Sequence, residues 1–116
     1  MSTFNASTAE IADCAIVSGN AQVFDCAKVG DLAKVYDNAK VYDNAKVYGR
    51  TMVYGRAKVF DKAQVSGNAR VYDRAKVYGN ALIYGNARVF GNAILEGDVT
   101  ISNGWIGGVH WWRDIP

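Results

Sequence analysis

Histidine is nearly missing from this 116-residue chain: His110 is the only one, so imidazole chemistry has a single candidate residue. Proline is just as scarce, and the one present, Pro116, ends the chain and interrupts nothing before it. Two cysteines, Cys14 and Cys26, make neither a disulfide framework nor a four-ligand zinc pattern. No run approaches the 18 apolar residues of a membrane span. The N-terminal MSTFNASTAE has neither a basic region nor an apolar core of a secretion signal, so synthesis in the cytosol is expected. A net charge of +2 is too mild to argue for nucleic acid by itself.

What the chain has instead is repetition. From Ala9 to Gly104 sixteen hexads follow one another without insertion, as in AKVYDNAKVYDNAKVYGR over 33–50. The first position is Ala in fourteen of them, with Thr51 and Val99 the exceptions, and the third is aliphatic in all sixteen. The fifth is Gly in eight, Asp in seven and Asn103 in one, while all seven tyrosines fall on the fourth. A period of six fits neither a helix nor a plain strand; it fits a short strand followed by a turn, again and again.

Side chains alternate across a strand. Positions one and three, Ala and Val, therefore face inward, and positions two and four, Lys, Arg, Gln and Tyr, face out. Positions five and six turn the chain, since Gly, Asp and Asn tolerate the backbone angles of a sharp corner. Half the residues are hydrophobic, but many are alanine, so the interior is narrow. A narrow core suits a solenoid, in which each coil is buried by its neighbours.

Val35 with Ala39, Val41 with Ala45, and the same pairing throughout 9–104 resemble the hexapeptide-repeat family. That resemblance implies an all-β fold, a left-handed parallel β-helix with three faces per coil and about five coils. Within the family the chain looks most like repetitive A-x-V-Y-G-N proteins of bacteria and their phages, which implies a phage or prophage origin. Residues 1–8 then form an N-terminal plug segment, with Phe4 the plug, 9–104 the β-helix, and 105–116 a Trp-rich cap. The cap residues are Trp105, His110, Trp111, Trp112 and Arg113, supported by Ile106, Val109 and Ile115.

With three hexads per coil, residues 18 apart stack. The first face carries small outward residues broken by Tyr48 and Tyr84. The second carries Tyr36, Tyr54, Tyr72 and Phe90 beside Lys34, Arg70 and Arg88. The third carries Phe24, Tyr42, Phe60 and Tyr78 beside Lys40, Lys58 and Lys76. Such a patch is larger than a monomer usually exposes, and stacked like charges are mildly unfavourable. Burial against another subunit relieves both.

The leading expectation is accordingly a non-catalytic structural or protein-interaction module. It would form a homotrimer, as family members commonly do, by packing the second face of one subunit on the third face of the next. The alternative is a binding protein for an anionic aromatic ligand, a nucleotide or single-stranded nucleic acid, held on these faces or between subunits by ring stacking and phosphate pairing. A second alternative, implied by the family's acyltransferases, is a related enzyme with His110 as its base. The family's carbonic anhydrases need three histidines per chain, which this chain lacks. No metal, cofactor or membrane partner is expected. Cys14 and Cys26, on different corners, are expected to remain thiols, as suits a cytoplasmic location, the host's if the protein is phage-encoded.

Overall fold

The computed structural model describes residues 4–5, 10–12 and 14–107; His110, Trp111, Trp112 and Arg113 lie outside the described residues. Within them the chain winds as a β-solenoid of about five coils, with eighteen two-residue strands and no helix. The strands occupy hexad positions two and three, as in Lys34–Val35 and Lys40–Val41. They stack into three parallel sheets of six strands, one per face.

The first face runs from Glu10–Ile11 to Thr100–Ile101, the second from Ile16–Val17 to Trp105–Ile106, and the third from Phe4–Asn5 to Ile94–Leu95. Register is an offset of 18 residues through the hexads: Lys40 pairs with Lys58, and Lys58 with Lys76. The alternation works as expected. Alanines at position one and aliphatics at position three are buried from Val17 to Leu95, most of them fully. Thr51 is the polar member of this core, and its Oγ1 donates to the Tyr48 carbonyl at 2.7 Å.

The ladder reaches past the hexads at both ends. Phe4–Asn5 pairs with Gln22–Val23, so part of the segment expected to be a plug is a strand of the third sheet. At the other end Trp105 pairs with Arg88 and Ile106 with Val89, an offset one residue short of the repeat. Gly104, at a φ of 95°, absorbs the missing residue. The result departs from the expected cap. Trp105 takes an outward position on the second face, 69% exposed, and Ile106 takes the inward one. Trp105 therefore flanks the last coil rather than folding over it.

The corners show why Asp and Gly share position five. Gly79 and its equivalents lie at positive φ, as do Asp25, Asp31, Asp37, Asp43, Asp61 and Asp73, with φ of 56–61°. The left-handed conformation costs a residue with a side chain about 1–2 kcal/mol. The aspartates offset that cost through a backbone donor. Within each coil the N–H groups of positions two, four and six bond to carbonyls of the following coil, as Lys34, Tyr36 and Asn38 do to Thr51, Val53 and Gly55. Where the preceding coil has Asp at the corner, the position-five N–H takes its carboxylate: Gly55 donates to Asp37 Oδ2 at 3.2 Å, Gly79 to Asp61 Oδ2 at 3.1 Å, and Gly91 to Asp73 Oδ2 at 3.0 Å. Bonds to a charged acceptor contribute about 1.5–3 kcal/mol.

Gly79 has no such latitude, since a Cβ there would lie 2.6 Å from the backbone N of Gly97. Two substitutions at one backbone conformation should consequently differ. Asp61→Asn keeps an acceptor without its charge and should cost about 1 kcal/mol, while Asp61→Ala loses the bond and should cost about 1.5–3 kcal/mol. Gly79→Ala must push two coils apart and should cost more than either. Urea unfolding curves of the three variants check this order, and a Gly79→Ala protein as stable as the parent would refute the close approach.

Candidate functional site: two aromatic ladders and their charged borders

Both expected aromatic columns form, and each is a continuous stack. On the third face Phe24, Tyr42, Phe60 and Tyr78 lie with ring centroids 4.9, 5.0 and 4.7 Å apart and planes within 8° of parallel. On the second face Tyr36, Tyr54, Tyr72 and Phe90 follow at 4.9, 5.0 and 5.4 Å. These are ring separations at which offset stacking is attractive, by about 0.5–1.5 kcal/mol per pair beyond area burial. The spacing is set by the strands, which sit about 4.8 Å apart. The second-face ladder ends where Trp105 meets Phe90 edge-on at 6.3 Å, with the Arg88 guanidinium 5.0 Å over the indole. Gly107 leaves the room that the Phe90 ring occupies, since a Cβ there would collide with it.

Stacking changes what the ladders can bind. Apart from the ladder ends, each ring covers the face of the next, and the ridge presents ring edges and hydroxyls to the outside. Inserting a planar base between two rings would need about 7 Å, twice a van der Waals contact distance. The backbone ladder holds them at about 5 Å. Base stacking of the kind that holds single-stranded nucleic acid therefore has no free ring face along the ridges.

Half-burial pushes the phenols of Tyr36, Tyr42 and Tyr54 above their ordinary range; for Tyr36 and Tyr42 the neighbouring Asp37 and Asp43 charges add to it, and for Tyr54 the flanking Tyr36 and Tyr72 do. Tyr78 moves furthest, up to about 12, chiefly because its hydroxyl donates to Glu96 Oε1 at 2.6 Å.

The cations expected beside the ladders stand where the register puts them. Lys40, Lys58 and Lys76 form a column on the third face, and Lys34, Arg70 and Arg88 lie on the second, interrupted by Met52. Further residues join the site that the fourth and second positions alone do not reveal. Arg56 and Arg74, at position six, occupy the corner between the second and third faces, around an open concavity of about 380 Å³ with Asp73 and Asn92. At the opposite edge of the third face, Asp25, Asp43, Asp61, Lys62 and Asn80 border a concavity of about 970 Å³. Lys28, Lys46 and Lys62 line a groove of about 610 Å³ with Asn44, Gln64 and Glu10, on the first face and the corner that leads into it. Arg56, Lys62 and Arg74 come from the sixth position and the aspartates from the fifth, both read as turn residues rather than as columns, while Lys28 and Lys46 are second-position residues of the first face.

Cys14 and Cys26 are exposed on different corners and form no disulfide. Among the described residues no group of three His, Cys, Asp or Glu side chains is placed to hold a metal ion. No helix among them is long and apolar enough to cross a membrane.

Comparison with known proteins agrees with the architecture. A family model of the YdcK beta solenoid repeat matches residues 63–75 and 83–97, which supports a repeat β-helix family for the chain. No curated protein and no solved structure matches it.

The Tyr78–Glu96 bond gives the site a spectroscopic handle. A phenol whose pKa is raised from 10.0 to about 12 on folding stabilises the fold fully below about pH 10 and loses that contribution as the pH rises through 12. Ultraviolet titration of the tyrosinates should show one late ionisation, and Glu96→Gln should move it back toward the ordinary range. An unchanged titration in that variant would show that the bond does not form.

Proposed function

We propose that the chain is a non-catalytic structural or protein-interaction module that joins copies of itself side by side through its aromatic flanks. The observation that carries this reading is the pair of four-ring ladders on adjoining faces, half-buried in the single chain and bordered by unlike charges. Ridges of ring edges and hydroxyls are surfaces that another protein flank can cover, and covering them removes apolar area from water at about 25 cal/mol per Å². A homotrimer is one closed form of such an assembly. The hexapeptide-repeat identity, the phage or prophage origin and the cytoplasmic location belong to the same proposal.

The ligand reading takes a narrower form once the ring faces are covered. An anion would be held by charge, with the Lys28, Lys46 and Lys62 groove as its site. An acyltransferase role would rest on His110.

Light scattering on the purified chain separates these readings. Self-assembly predicts a mass that is a multiple of 12.6 kDa at micromolar concentration. A lone 12.6 kDa species at that concentration would overturn the proposal and make anion binding the leading explanation of the cationic columns.

A further inference from the structure

The third face carries its chemistry in a fixed lateral order. Crossing one coil from the entering corner to the leaving one, the chain presents Arg56, then Lys58, then Phe60, then Asp61. The coil before it keeps the last three with Lys40, Tyr42 and Asp43 after Asn38, and the coil after it keeps the first three with Arg74, Lys76 and Tyr78 before Gly79. One edge of the face therefore carries Arg56 and Arg74, with Asp73 and Asn92 beside them, the middle a lysine column and an aromatic ridge, and the other edge Asp25, Asp43 and Asp61, with Lys62 beside them. Asp43 and Asp61 are held in position, because Asp43 Oδ2 accepts from the Asp61 N–H at 3.3 Å and Asp61 Oδ2 from the Gly79 N–H at 3.1 Å.

We infer that this face docks on the same face of a second copy, with the two solenoid axes parallel and related by a two-fold axis along them. The inference rests on the self-assembly reading above and names its surface and orientation. A two-fold parallel to the axis reverses the lateral order while keeping every residue at its own height. The Arg56 corner of one copy then faces the Asp61 corner of the other, and the lysine column of each lies against the aromatic ridge of its partner. Lysine stems pack well on such rings, and their charges are attracted by them. The arrangement is isologous, so each favourable contact occurs twice.

Other pairings do less well on the same residues. A two-fold across the axis would set lysines against lysines and aspartates against aspartates, which is unfavourable. Packing the second face on the third would bring the Arg56–Arg74 corner of one copy, offset by Asp37 and Asp73, against the same corner of the next and would leave the Asp43–Asp61 corner unmatched. Size is no obstacle, since a stable pair needs about 800 Å² per partner. One flank of three on a molecule with 5979 Å² of accessible surface contains that much.

Native mass spectrometry, two charge-reversal variants and spin-label distances test the inference together. Lys40→Glu with Lys58→Glu should abolish the dimer, while Lys34→Glu with Arg70→Glu on the second face should leave it intact; circular dichroism confirms that both surface variants remain folded. Labels placed singly at Cys26, Asn44→Cys and Asn80→Cys, with the remaining native cysteines changed to Ser, sample three heights of the acidic corner. A parallel pair gives one interchain distance at all three. A trimer, a loss of assembly from the second-face variant instead, or distances that change with height would overturn the third-face pairing and leave self-assembly standing. A protein that is monomeric throughout would overturn both.

Discussion

Everything on this molecule depends on the hydrogen-bond ladder that joins residue i to residue i+18. It fixes one spacing, about 4.8 Å, for every column on the surface. Aromatic rings in a column must then stack, and lysines in a column must repel one another mildly. A corner aspartate finds the N–H of the next coil within reach, as Asp37 does at Gly55. The interior follows from the same constraint, because only Ala and a β-branched or similar aliphatic residue fill so narrow a triangle without voids.

The ladder also limits chemistry. A solenoid without inserted loops has flat flanks and shallow corners, and its side chains repeat rather than converge. Repetition favours partners that repeat at the same pitch. The corner built from Asp43 and Asp61 one coil apart repeats at that pitch, which is why a second copy is the partner proposed. Stacked ring faces add to this preference, since planar ligands have no room between Tyr54 and Tyr72 at 5.0 Å. Assembly with a like surface uses what the flanks present, their edges and charges.

Much of this was legible in the sequence, and for a physical reason. Period-six alternation with a turn residue at position five leaves little freedom in register, so Tyr36, Tyr54 and Tyr72 had to align. The ends were less legible because the pattern is broken there. TFNAST has no aliphatic residue at its third place, yet Phe4–Asn5 still pairs with the following coil. Gly104 removes one residue from the count, which moves Trp105 from an expected cap to a flank. The corner aspartates were legible as turn formers and as charges, but not as acceptors that close the next coil's open donor, as Asp37 does at Gly55. Arg56 and Arg74 were likewise hidden among turn residues, although their offset of 18 marks them as a column.

The central claim is that these columns exist to be covered by a neighbouring solenoid lying alongside. Small-angle X-ray scattering tests it most directly, because it separates width from length. The single chain has a radius of gyration of 12.4 Å. Side-by-side assembly predicts a clearly larger value with a widened cross-section and the length of one solenoid. A measured radius near 12.4 Å, or growth in length with the cross-section of a single coil, would contradict the account.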